Sequence, residues 1–191
     1  MSPLPAGKSP RRSARQAILD AATIVLAESP DSPMSAVSEA AGVGRATLYR
    51  HFPSREDLIK ALSLDAIRAT DEAVAPVFDN YSTADKALRE MLEVLIPLGD
   101  RYHFLSTESG LSAEPEIAAE YQRQYDETAA FVEQAKEEKL FDPALPTAWI
   151  TAAIDALIWA AWNTVHRGEI APRDVAGMTY RTLVNGMGPQ D

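Results

Sequence analysis

The sequence predicts an all-α fold, and three observations carry that prediction. Apolar residues recur at helical spacing, first as Ile18, Ala21, Ala22, Val25 and Leu26 at i, i+3, i+4, i+7 and i+8. A tight Gly42-Val-Gly44 turn separates two short helical stretches. Two further stretches near the end of the chain, 147–167 and 173–186, are joined by the short Gly/Pro loop Gly168-Glu-Ile-Ala-Pro172. At 191 residues, a hydrophobic content of 46% is enough for a substantial core.

Taken in order, residues 1–10 hold three prolines, two serines and a glycine, and are expected to be a disordered tail. Arg11, Arg12 and Arg15 follow. Ser13-Ala-Arg-Gln16 has capping-box spacing, and the helix it starts ends by Ser29-Pro30. Ser32-Pro33 marks the next start, with the proline at the first helical position and Met34, Val37 and Ala41 facing inward. Gly42 stands where that helix needs a residue tolerant of positive φ, Gly44 serves as N-cap of the third helix, and Pro53 closes it at Phe52. At 100° per residue, Leu48 and Phe52 share one side of this third helix. Ala46, Thr47 and Arg50 lie opposite, flanked by Arg45, Tyr49 and His51.

Ser54-Arg-Glu-Asp57 repeats the capping pattern and starts a helix expected over 55–74, followed by a loop over 75–82. Ser82 or Thr83 caps the next helix, which carries Ala87, Met91, Val94, Leu95 and Leu98, and Pro97 is expected to kink or break it. Residues 100–113 mix His103, Phe104 and Leu105 with serines, a threonine and a glycine, and give no clear periodicity. A helix over 115–139 carries Ile117, Tyr121, Tyr125 or Gln124, Thr128 and Val132 on one partly apolar face. Residues 145–166 are charged only at Asp155. Their length could span a bilayer, but the central Asp would cost about 2.5–3.5 kcal/mol on insertion and no basic flank orients the segment. Burial between the body and a second chain is the better account of a helix apolar nearly all round.

The formal net charge is −10, yet it is unevenly placed. Residues 1–60 carry eight basic against six acidic side chains, leaving ten against 22 for residues 61–191. The acidity therefore belongs to the second part, and no acidic residue lies between Val43 and Arg55. Two arginines, a hydroxyl, a phenol and an imidazole on the third helix suit contact with phosphates and base edges. Charge alone would favour an ordinary helical hairpin with a solvated face. The absence of cysteine excludes a disulfide framework and a thiolate metal site and gives no reason to place the chain outside a reducing cytoplasm. His51, His103 and His166 are far apart, and the metalloprotease, hydrolase and dinucleotide motifs all fail. The expectation is no enzyme, no metal and no cofactor.

Ala41-Gly-Val-Gly-Arg-Ala-Thr-Leu-Tyr-Arg-His-Phe-Pro-Ser-Arg-Glu-Asp-Leu58, preceded by Ala17-Ile-Leu-Asp-Ala-Ala22, closely resembles the DNA-binding domain of TetR/AcrR-type transcriptional regulators. The resemblance covers roughly residues 11–71. It implies a three-helix head with a helix-turn-helix over 11–71, and a helical ligand-binding and dimerisation domain over 72–191. It further implies a cytoplasmic repressor that binds a palindromic operator in double-stranded DNA as a homodimer and is released by a small-molecule effector. Arg45, Ala46, Thr47, Tyr49 and Arg50 would face the major groove, with Thr47, Tyr49, His51 and Arg55 serving phosphates. For Arg55, simple capping and solvation weigh as much as phosphate contact, and a solvated terminus is as good an account of the arginines at 11, 12 and 15 as a DNA-touching arm. Gly44 departs from the polar cap usual in similar proteins, and Ser35-Ala36 from a charged pair. The architectural DNA binder and the protein-docking module are the alternatives.

The two last helices, near 147–167 and 173–186, are what such regulators use to dimerise. Ala152, Ala153, Ala156, Ala160 and Ala161 permit close helix approach, over an interface that typically buries about 2,000 Å² or more. Asp155, Trp159, Trp162 and His166 recur at i, i+4, i+7 and i+11. They could border an aromatic ligand site with Tyr102, His103, Phe104, Tyr121, Tyr125 and Phe131, although a core or interface stripe is the better account of the same spacing.

Overall fold

The computed structural model describes residues 13–102, 104–105 and 114–189. The tail over 1–10, Arg11, Arg12 and His103 lie outside the described residues. Within them the chain forms eight α-helices and no strand: α1 (Ala14–Glu28), α2 (Met34–Ala40), α3 (Arg45–His51), α4 (Arg55–Asn80), α5 (Ala84–Tyr102), α6 (Pro115–Glu137), α7 (Thr147–His166) and α8 (Pro172–Met187). It divides into two compact units, Met1–Ala61 and Leu62–Asp191.

In the first unit each helix starts and stops where local chemistry dictates. The Ser13 hydroxyl accepts from the Gln16 amide at 3.2 Å, satisfying one of the free donors of the first turn of α1. Pro33 is the N-cap of α2, one residue outside the helix, because its extended ψ of 157° cannot begin a helical turn. Gly42 has φ +65°, and the Val43 amide reaches back to the Ser38 carbonyl at 3.0 Å, so the end of α2 is closed by a left-handed glycine. Gly44 adopts the extended N-cap conformation of α3 without a side-chain cap. At the far end the Phe52 amide donates to the Leu48 carbonyl at 2.9 Å. Leu48 and Phe52 are buried with Ile18, Leu19, Leu26, Val37 and Leu58. Burying a leucine such as Leu48 contributes about 1.5–3 kcal/mol, so this anchor outweighs the missing cap. At the start of α4, the Asp57 amide donates to the Ser54 hydroxyl at 3.0 Å and the Ser54 amide donates to the Asp57 carboxylate at 3.1 Å.

The second unit is built on α5, α7 and α8. Ala84, Ala87, Leu88, Met91, Leu92 and Ile96 of α5 meet Ile150, Ile154 and Ile158 of α7 and Val175, Tyr180 and Leu183 of α8 in one apolar core, closed by Phe131 and Val132 of α6. The Tyr180 hydroxyl donates to Asp85, and the Arg89 guanidinium lies 3.7 Å from the Tyr180 ring centroid, which fastens α8 to the start of α5. The α7–α8 connection turns at Gly168, at φ +67°, with the Glu169 amide bonded to the Thr164 carbonyl at 3.2 Å.

Two prolines behave differently from expectation. α4 runs through Pro76 to Asn80, because Val77 is buried and Phe78 packs edge-on to Phe131 with centroids 5.6 Å apart. The Asn80 side chain also satisfies the Pro76 carbonyl at 2.9 Å. α5 likewise continues through Pro97 to Tyr102, held by buried Ile96 and by the Trp162 indole, which donates to the Leu95 carbonyl at 3.0 Å. Tertiary packing here exceeds the cost of one lost backbone bond at each proline. No described helix is long and apolar enough to cross a membrane, α7 included.

Candidate functional site

The exposed face of α3 follows from its anchoring. With Leu48 and Phe52 turned inward, Arg45, Ala46, Tyr49 and Arg50 are exposed, while Thr47 and His51 are partly buried. Arg50 and His51 occupy the last turn, where cations complement the helix dipole. Arg55 donates from Nη2 to the Pro30 carbonyl at 2.8 Å, tying the first turn of α4 to the α1–α2 connection. Arg15 sits on α1 with its guanidinium 5.3 Å from the Phe52 ring centroid, so it steadies the anchor residue of α3. The result is a two-turn rod presenting guanidinium, phenol and hydroxyl groups, a set able to bond phosphate oxygens and guanine edges.

The second unit encloses a cavity of about 560 Å³ walled by α4, α5, α6 and α7. Tyr102, Tyr121, Tyr125, Phe131, Asp155, Trp159 and Trp162 line it, as do Thr70 and Asp71 of α4 and Gln124, Glu127 and Thr128 of α6. Phe104 is buried but not part of the lining, and His166 stands exposed at the end of α7. Helical rise explains the latter: eleven residues return His166 to the angle of Asp155 but carry it about 16 Å along the axis. The α4 wall carries no motif, since Thr70 and Asp71 look like ordinary solvated positions in sequence. In the structure the Gln124 amide group donates to Thr70 Oγ1 at 2.9 Å and to Asp71 Oδ1 at 2.8 Å. Arg123 binds Asp71, Glu120 at 2.8 Å and Glu127 at 2.9 Å. Glu120 above all, then Glu127, raises the guanidinium pKa further.

Trp159 and Trp162 pack edge to face with centroids 4.9 Å apart. The Trp162 indole lies flush on α5 only because residue 99 is glycine, since a Cβ there would fall 1.9 Å from the indole Cδ1. Gly99→Ala is therefore expected to expel Trp162 from its seat, lowering stability by about 1–3 kcal/mol in urea titration and shifting tryptophan emission to the red. Burial raises the carboxyl pKa of Asp155 above its ordinary value. Burial, and secondarily the charge of Asp155, raises the phenol of Tyr121. Among the described residues no group of His, Asp or Glu is placed to hold a metal ion.

The family described as bacterial regulatory proteins, tetR family, matches residues 18–62, the stretch from the core of α1 into the start of α4. The HTH-type transcriptional repressor LfrR of Mycolicibacterium smegmatis is 32% identical over 158 residues, 83% of this chain and 82% of the relative. Among solved structures, the TetR-like regulator LfrR from Mycobacterium smegmatis in complex with proflavine has a TM-score of 0.79 at 27% identity, over 95% of this chain and 100% of that one. The fatty acid degradation regulator FadR from Bacillus halodurans shares the fold, with a TM-score of 0.78 at 18% identity over 95% of this chain and 98% of that one. With a helix-turn-helix whose second helix shows a cationic, acid-free face, and with a repressor as relative across most of its length, the chain belongs to the tetR family of bacterial regulatory proteins and is a DNA-binding regulator of transcription.

Proposed function

We propose that the chain binds a pseudo-palindromic operator as a homodimer and lets it go when a small molecule fills the cavity of the second unit. The observation that carries this reading is α4. One unbroken helix is capped at Ser54, directly after α3, and further along contributes Thr70, Asp71 and Phe78 to the cavity wall. A ligand that alters the cavity wall acts on the same helix that follows the DNA-reading element. The relative LfrR was solved with proflavine bound, which supports a small-molecule site in this fold.

Pairing rests on α7 and α8. Trp149 is 64% exposed and Met178 43%, and Ala152, Ala156 and Ala160 are exposed on the same side of α7 as Trp149, whereas Ala161 packs into the core. An apolar strip of small side chains with one large indole suits a helix of a second copy. Two copies must present α3 about one DNA turn apart, roughly 34–36 Å, to read the two half-sites. The test is selection of bound duplexes from a random pool, followed by a compound screen in a mobility-shift titration. A coupling of about 1–3 kcal/mol predicts a five- to 150-fold drop in duplex affinity with the effector. A selected duplex without two-fold repeats, or no compound that weakens binding, argues for a ligand-independent DNA binder instead.

A further inference from the structure

Helical geometry sorts the side chains of α3 into two that point straight out and others that flank them. With the middle of the Leu48 and Phe52 anchor as the inward direction, Arg50 stands about 180° away and Ala46, one turn earlier in the same row, about 140°. Both are exposed. Thr47 follows at about 120° and is partly buried, and Tyr49 and His51 stand near 80° on opposite flanks. Arg45 lies only about 40° from the anchor direction, so its exposure comes from its place at the start of the helix. The arginines of this unit also differ in what they already hold. Arg15 lies over the Phe52 ring and Arg55 donates to the Pro30 carbonyl, whereas Arg50 has no hydrogen bond, ion pair or ring contact with any described residue. Its guanidinium keeps all its donors for a ligand. Ala46 offers the opposite chemistry, a methyl group without donor or acceptor, in the same outward row.

We propose that α3 reads each half-site through two bases in the major groove: Arg50 takes the O6 and N7 of a guanine, and the methyl of Ala46 packs on the C5-methyl of a thymine within about three base pairs of that guanine. The assignment deepens the operator reading above and rests on it. A planar guanidinium fork matches two adjacent acceptors, which guanine alone presents in that groove. Thymine alone carries a methyl there, and every other base loses that contact or turns a polar edge to Ala46. Four residues separate Ala46 from Arg50, a rise of about 6 Å, or about two steps of stacked bases, and the reach of the arginine adds about one more. Thr47, Tyr49 and His51, on the flanks, are left for the phosphates along the walls of the groove.

Fluorescence anisotropy of the full chain on a duplex selected from a random pool tests both contacts atom by atom. Uracil in place of one thymine at a time removes the methyl and keeps every pairing group; 7-deazaguanine in place of one guanine at a time removes N7. With the parent chain, one uracil position per half-site should weaken binding about three- to tenfold, as expected for one buried methyl contact. One deazaguanine position within about three base pairs of it should weaken binding about fivefold or more. Ala46→Gly should erase the thymine-to-uracil ratio and Arg50→Ala the guanine-to-deazaguanine ratio, each leaving the other ratio within about twofold of the parent. Each ratio compares two duplexes on one variant, so a general loss of affinity cancels, and Ala46→Gln, which lacks the cost of glycine in a helix, should erase the thymine ratio as well. No thymine sensitive to its methyl, or a thymine ratio that survives in Ala46→Gly, overturns the first contact; no sensitive guanine within reach, or a guanine ratio that survives in Arg50→Ala, overturns the second. A pool that yields no duplex overturns both contacts together with the operator reading. A selected duplex without two-fold repeats that keeps both ratios overturns the dimeric operator reading and leaves the two contacts standing.

Discussion

Replacing Tyr49 and Arg50 together by alanine should lower duplex affinity at least about 30-fold, while the melting temperature stays within about 2 °C of the parent. Both side chains are exposed on α3, Arg50 opposite the Leu48 and Phe52 anchor and Tyr49 on its flank, and neither belongs to the buried core. A base-edge or phosphate contact of this kind contributes about 1–3 kcal/mol, and two of them set the lower bound at about 2 kcal/mol. Fluorescence anisotropy on the selected duplex at two salt concentrations separates the roles: loss of a phosphate contact also reduces the salt slope by about one. Affinity unchanged by the double substitution would mean that α3 does not read DNA in this chain.

Introducing glutamate at both Ala156 and Ala160 should separate the two copies. These positions are exposed one turn apart on α7, along the strip headed by Trp149, so the isolated chain tolerates longer side chains there. At an apolar interface between two copies the introduced carboxylates would be buried with no cation opposite them, and an uncompensated buried charge costs about 3–5 kcal/mol. The dimer dissociation constant should rise at least about 100-fold in sedimentation equilibrium, and operator affinity should fall with it, because a single head holds only one half-site. A variant that remains dimeric would move the interface elsewhere.

The first unit was legible because its signals are local. Gly42 at positive φ, the Ser13 and Ser54 caps and Pro53 each act within a few residues, and each sits where the sequence places it. The second unit was legible in outline, since helical periodicity and the composition of α7 need no tertiary knowledge. Helix ends near Pro76 and Pro97 were not, because the contacts that override these prolines come from Phe131 and Trp162, far along the chain. The same holds for the cavity. Asp155, Trp159 and Trp162 line it together as their spacing allows, but Thr70 and Asp71 of α4 are polar residues of unremarkable pattern, and the bare hydroxyl of Thr151 cannot be told from a threonine bonded to its own helix without coordinates.

The Arg123 cluster gives the two edges of the cavity different sensitivities. α5, α7 and α8 are joined mainly by hydrocarbon, which moderate salt leaves intact, whereas α4 meets α6 both through Phe78 on Phe131 and through half-exposed ion pairs and amide bonds around Asp71. Screening over about 8 Å at physiological ionic strength weakens such pairs and not the oily side. Raised ionic strength therefore weakens the polar part of the α4–α6 seam before it reaches the apolar core, and the two sides of one cavity differ in what holds them.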